Sequence, residues 1–86
     1  MAAPAAPPVP RRFFRVEGLG RKGAIKFVRV TGVPGEWRIS GPSGLRVTVA
    51  GRTVQEALRI ARRQIPFRVV VVREMASLEE LHAKPF

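Results

Sequence analysis

Apolar and polar positions follow two different periods along this chain, and the change of period divides it. Residues 13–49 hold four short apolar stretches separated by glycine-rich breaks. Residues 13–16 (FFRV) predict a short strand, and residues 24–31 (AIKFVRVT) a second, its apolar run broken by Lys26 and Arg29. Residues 36–40 (EWRIS) alternate, with Trp37 and Ile39 on one face and Glu36 and Arg38 on the other. Residues 45–49 (LRVTV) alternate too, Leu45, Val47 and Val49 inward and Arg46 and Thr48 outward. A lone tryptophan at such a position reads as core before it reads as a base-stacking group. The breaks are turn chemistry: Gly32-Val33-Pro34-Gly35 and Gly41-Pro42-Ser43-Gly44.

From Thr53 the period becomes helical. Val54, Ala57, Leu58, Ala61 and Ile65 form one apolar stripe, the face that packs. Thr53 and Glu56 have the spacing of a capping box, so the helix enters at Thr53. Ile65-Pro66 ends it, because a residue before proline is driven out of helical geometry. The β-branched run from Phe67 to Val72 follows, too apolar to alternate; it predicts a strand buried on both faces. Ser77 and Glu80 form a second capping box for a short terminal helix, SLEELHA, with Leu78 and Leu81 as its apolar pair. These elements predict an α+β fold: a small antiparallel or mixed sheet of four or five strands, one main helix packed on one face, a short C-terminal helix and an extended N-terminal arm. The division is residues 1–12 as a Pro/Ala-rich arm, 13–75 as the α+β domain, and 76–86 as the terminal helix and tail.

Charge changes the picture from a fold to a partner. Sixteen basic residues, thirteen of them arginine, face six acids, for a net charge of +10. Residues 1–73 carry +12 and residues 74–86 carry −2. Arginine's planar fork engages phosphate oxygens in pairs and stacks on bases. A basic body of this kind points to a polyanion, nucleic acid ahead of an anionic membrane or a merely solvated basic surface. No helix combines basic residues with bulky aromatics on its apolar face, which weakens the membrane reading. No apolar run approaches the ~20 residues that span a bilayer.

The remaining chemistry is sparse. There is no cysteine, which excludes disulfides and thiolate metal sites. His82 stands alone and reads as a surface histidine, so no metal and no cofactor is expected. The serines lack a base at motif spacing and no pair of carboxylates is set for acid/base work, so no catalytic residues and no enzyme are predicted. Gly18-Leu19-Gly20-Arg21-Lys22-Gly23 is a glycine-rich basic loop whose backbone a partner can approach. It lacks the GK[ST] of a nucleotide-binding loop, and a hairpin turn with solvated charges is the plain alternative.

Residues 18–74 resemble a known family, the universal large-subunit ribosomal protein sixteen. EALRIARRQIPFRVVVV is similar to that family's closing helix, proline break and apolar strand, with Gln64-Ile65-Pro66-Phe67 at the break. Gly20-Arg21-Lys22-Gly23-Ala24-Ile25 resembles its glycine-basic loop and following strand, and residues 45–51 its last strand before the helix. The family's amino-terminal half has no counterpart here. The stretch between Val30 and Leu45 is longer than the family's turn, and Val16 and Glu17 stand where the family has arginine and methionine. The resemblance therefore implies a split or shortened organellar form, mitochondrial rather than plastid or cytoplasmic. It implies a seat near the aminoacyl-tRNA site, with Gly20, Arg21, Lys22 and Gly23 directed toward tRNA and catalytic RNA.

Together these readings predict a structural constituent of the large ribosomal subunit that binds rRNA through arginine–phosphate contacts. Arg11, Arg12 and Arg15 would anchor the arm. Gly20, Arg21, Lys22, Gly23 and Lys26 would enter an RNA groove or face tRNA. Arg59, Arg62, Arg63 and Arg68 would lie along phosphates. Further partners are neighbouring ribosomal proteins, among them a chain supplying the missing half. The alternatives are a free-standing RNA-binding module or translation regulator that associates transiently, and a protein-binding adaptor whose edge strand a neighbour completes.

Overall fold

A computed structural model describes residues 10–42 and 44–83 of the chain. Five strands and two helices follow in the order β1 (Arg12–Leu19), β2 (Ile25–Val33), β3 (Glu36–Ser40), β4 (Arg46–Val49), α1 (Val54–Ile60), β5 (Arg68–Met75) and α2 (Leu78–Ala83). The strands form one sheet in the order β4-β3-β2-β1-β5, and every neighbouring pair is antiparallel. The fold is α+β, with one main helix and a short C-terminal helix. Of the arm expected at residues 1–12, residues 1–9 lie outside the described residues, and β1 starts one residue earlier than expected, at Arg12.

Strand alternation decides the core. Phe14 and Val16 of β1, Val28 and Val30 of β2, and Trp37 and Ile39 of β3 point to one face, where Val54, Ala57, Leu58, Ala61 and Ile65 meet them. The whole predicted helical stripe is thus buried. Leu45, Val47 and Val49 pack at the margin. Trp37 is fully buried; its ring meets Phe14 edge-on at 5.8 Å, and its indole N–H donates to the Gly51 carbonyl at 2.8 Å. The tight turn into β3 places Gly35 at φ 91°, a left-handed conformation that favours glycine after Pro34.

Three expectations need correction. First, α1 ends at Ile60 rather than at the Ile65-Pro66 break. Pro66 offers no N–H to a preceding carbonyl and holds Ile65 out of helical geometry, so the last turn tightens. Arg62 then donates to the Arg59 carbonyl and Gln64 to that of Ala61. Second, β5 is an edge strand rather than one buried on both faces. Among the described residues it pairs with β1 alone, and Val70 is 60 % exposed. A register shift opposite Glu17 and Gly18 breaks its alternation. Third, the apolar pair of α2 divides: Leu81 is buried, whereas Leu78 is half exposed. Both capping serine/threonine hydroxyls do accept from the backbone N–H three residues on, Thr53 from Glu56 and Ser77 from Glu80. The Glu80 carboxylate reaches back to the Ala76 N–H.

Candidate nucleic-acid interface

The predicted basic residues fall into three exposed places and one interior one. β1 ends in a hairpin whose tip is a single 3-10 turn, Arg21–Gly23, closed by the Gly20 N–H donating to the Ala24 carbonyl at 2.8 Å. Lys22 sits there at φ 59°, and Arg21, Lys22 and Lys26 are exposed. The glycine-basic loop is therefore a hairpin turn. Gly18 belongs to the strand: a Cβ there would collide with the Arg68 carbonyl, so the close approach of β1 to β5 requires glycine.

The second place is the last turn of α1 and the turn that follows it. Arg59, Arg62 and Arg63 are all exposed. Arg59 and Arg62 line one side of a groove of about 650 Å³ between α1 and β5, and Arg68 lines the other. Its floor is apolar, formed by Leu58, Ile65, Phe67, Val69 and Val72. Arg68 lies opposite Leu19, at the hairpin end of β1. The groove and the hairpin tip thus share one end of the sheet.

Arg11 and Arg12 lie at the opposite end, roughly 24 Å away at about 3.4 Å per residue of strand. Arg12 is not free. Its guanidinium grips the Glu74 carboxylate with two bonds, of 2.8 and 2.9 Å, and lies over the Phe14 ring. That hydrogen bond, with the attraction between the two charges, holds the Glu74 carboxyl below its usual range and raises Arg12 above its own. Arg15 is a correction. It is 2 % exposed, donates to Glu17 at 3.0 Å and stacks on Phe27 at 4.5 Å. A side chain buried this way anchors the sheet rather than an arm on RNA. The cue in the sequence was Glu17, two residues on and so on the same side of the strand.

Charge pairing is sparse elsewhere. Among the described residues three arginines have a carboxylate within ion-pair distance: Arg12, Arg15 and Arg38. The Arg38–Glu36 pair is long, 3.9 Å, and mostly exposed. Arg59, Arg62, Arg63 and Arg68 have none among the described residues.

The reading of the sequence missed a further basic row on the sheet face turned away from α1, exposed at its ends, Arg46 and Arg73, and buried at Arg15. Cross-strand register aligns Arg46, Ser40, Arg29, Arg15 and Arg73 in one row across all five strands. Alternation had placed Arg38 and Arg46 outward, but only register shows which residues become neighbours. Among the described residues no helix is long and apolar enough to cross a membrane, and no acid or histidine cluster could hold a metal. No protein-family model, curated protein or solved structure matches this chain.

Proposed function

We propose that the chain is a structural RNA-binding protein of the large ribosomal subunit, holding rRNA by arginine–phosphate contacts. The observation that supports this best is the exposed trio Arg59, Arg62 and Arg68 lining the α1–β5 groove, with exposed Arg63 next to Arg62 in the chain, none of them with a carboxylate in ion-pair distance among the described residues. Guanidinium groups left without carboxylates on a rigid scaffold are suited to phosphate oxygens. Arg21, Lys22 and Lys26 extend the same positive field at the hairpin end. The ribosomal and mitochondrial setting, and a tRNA-facing role for residues 20–23, rest on the resemblance of residues 18–74 to the ribosomal family. The role is to neutralise phosphates and fix RNA helices, with recognition mainly through shape and backbone charge.

Sedimentation tests the reading. A subunit constituent stays with the large particle at moderate salt, whereas a transient RNA-binding module washes off. The Arg59/Arg62/Arg63 triple alanine variant should keep its fold and lose its place in the particle. Normal assembly of that variant would refute the groove assignment.

A further inference from the structure

The sheet face away from α1 carries a second basic site, made by register rather than by any sequence run. A shallow depression of about 400 Å³ lies over β3 and β4 and the neighbouring part of β2, lined by Thr31, Arg38, Ser40, Arg46 and Thr48. Ser40 faces Arg46 directly, and Arg38 faces both Thr31 and Thr48. Two exposed guanidiniums therefore stand diagonally across one strand pair, with three hydroxyls between and beside them. Arg29 borders the site, directly opposite Ser40. Its Nε is buried and has no hydrogen-bond partner among the described residues, while its guanidinium lies over the Phe27 ring at 5.1 Å. Among the described residues the one carboxylate in ion-pair distance of Arg38 is that of Glu36, at 3.9 Å in an exposed pair of the kind that contributes little.

We propose that this depression seats the sugar–phosphate backbone of a single RNA strand crossing the sheet at right angles to β2, β3 and β4. The inference rests on the RNA-binding reading and gives that reading a second, independent contact surface. Arg38 and Arg46 take phosphate oxygens, each through two N–H donors. Thr31, Ser40 and Thr48 supply hydroxyls to phosphate or to ribose 2′-OH groups. A shallow, open face without a deep groove suits one extended strand, whose backbone it can follow from Arg46 toward Arg29. The site shares no residue with the α1–β5 groove, so the chain can hold two RNA segments at once.

The test uses the full chain and a labelled single-stranded RNA oligonucleotide, with anisotropy titrations at several salt concentrations. The Arg38→Gln/Arg46→Gln double variant keeps polar, exposed side chains, and its melting temperature checks the fold. Losing two phosphate contacts should weaken binding roughly tenfold near 0.1 M salt and reduce the slope of log K against log salt by about 1.4. Arg52→Gln, which removes one charge from the loop before α1, is the control for general charge. If the wild type binds and Arg46→Gln lowers the slope no more than Arg52→Gln does, the sheet-face site is wrong and the RNA reading stands. If the wild type binds no RNA at any salt, both fall.

Discussion

Replacing Trp37 with phenylalanine tests the physical account of the core. Trp37 is fully buried between β3 and α1 and closes two contacts at once. Its indole N–H reaches the Gly51 carbonyl, and its ring meets Phe14 at an interplanar angle of 70°. Phenylalanine keeps an aromatic edge for Phe14 but loses the N–H and the outer part of the ring. The Gly51 carbonyl is not orphaned, because the Gly35 N–H also donates to it at 2.8 Å. The polar loss is therefore one ordinary hydrogen bond, about 1 kcal/mol, without the penalty of a buried unpaired carbonyl. The apolar loss is worth two to three methylene equivalents, about 2 kcal/mol. The sum, about 3 kcal/mol, corresponds to a fall in Tm of roughly 12–24 °C for a domain of this size. Thermal melts followed by far-ultraviolet circular dichroism measure it directly. A fall of less than about 5 °C would mean that Trp37 is not the keystone between sheet and helix that this packing describes.

Two further outcomes follow from local geometry. Gly18→Ala should destabilise by about 3 kcal/mol or more, since the added methyl meets the Arg68 backbone and parts β1 from β5. Gly20→Ala, two residues on, should cost less than about 1 kcal/mol, because its methyl meets the flexible Lys26 side chain at an ordinary φ of −87°. Urea midpoints of the two variants check this, and equal losses would refute the assigned register. The Arg12–Glu74 pair makes stability depend on acid. Glu74 binds its proton less readily folded than unfolded, so the pair's contribution is full above the usual glutamate range and is lost as pH falls through the folded value. The melting temperatures of wild type and Glu74→Gln should differ near neutrality and converge in acid. A gap that persists unchanged at low pH would contradict the pairing.

Much of this fold was legible because its signals are local. The stripe from Val54 to Ile65 and the alternation of EWRIS and LRVTV each predict which side is buried, and those sides meet in one core. The missed features are non-local. The apolar run of β5 reads as interior, yet its place at the sheet edge is set by its pairing with β1, with no strand beyond it among the described residues. Arg15 reads as an RNA anchor until Glu17 and Phe27 close around it. The Arg46–Ser40–Arg29–Arg15–Arg73 row brings together residues up to 58 positions apart, and no window along the chain contains it.

The placement of the acids ties stability to function. Glu17 balances the buried Arg15, Glu56 sits in the first turn of α1, Glu74 holds Arg12, and Glu80 caps α2. The Glu17, Glu74 and Glu80 carboxylates each accept a hydrogen bond within the scaffold. Of the exposed arginines, Arg12 is held by Glu74, and Arg38 is reached by Glu36 only at 3.9 Å. Like charges directly opposite one another in a sheet are unfavourable, yet Arg15 faces both Arg29 and Arg73. Phe27, lying under the guanidiniums of Arg15 and Arg29, and the Glu17 carboxylate make that row tolerable without covering its outer members. A chain that sets most of its acids to hold the frame and, among the described residues, leaves Arg46, Arg59, Arg62, Arg63 and Arg68 without a carboxylate in ion-pair distance carries an uncompensated positive field. In the proposed reading the countercharge comes from the RNA, so binding relieves the repulsion that the free protein bears and stabilises the fold as it forms the complex.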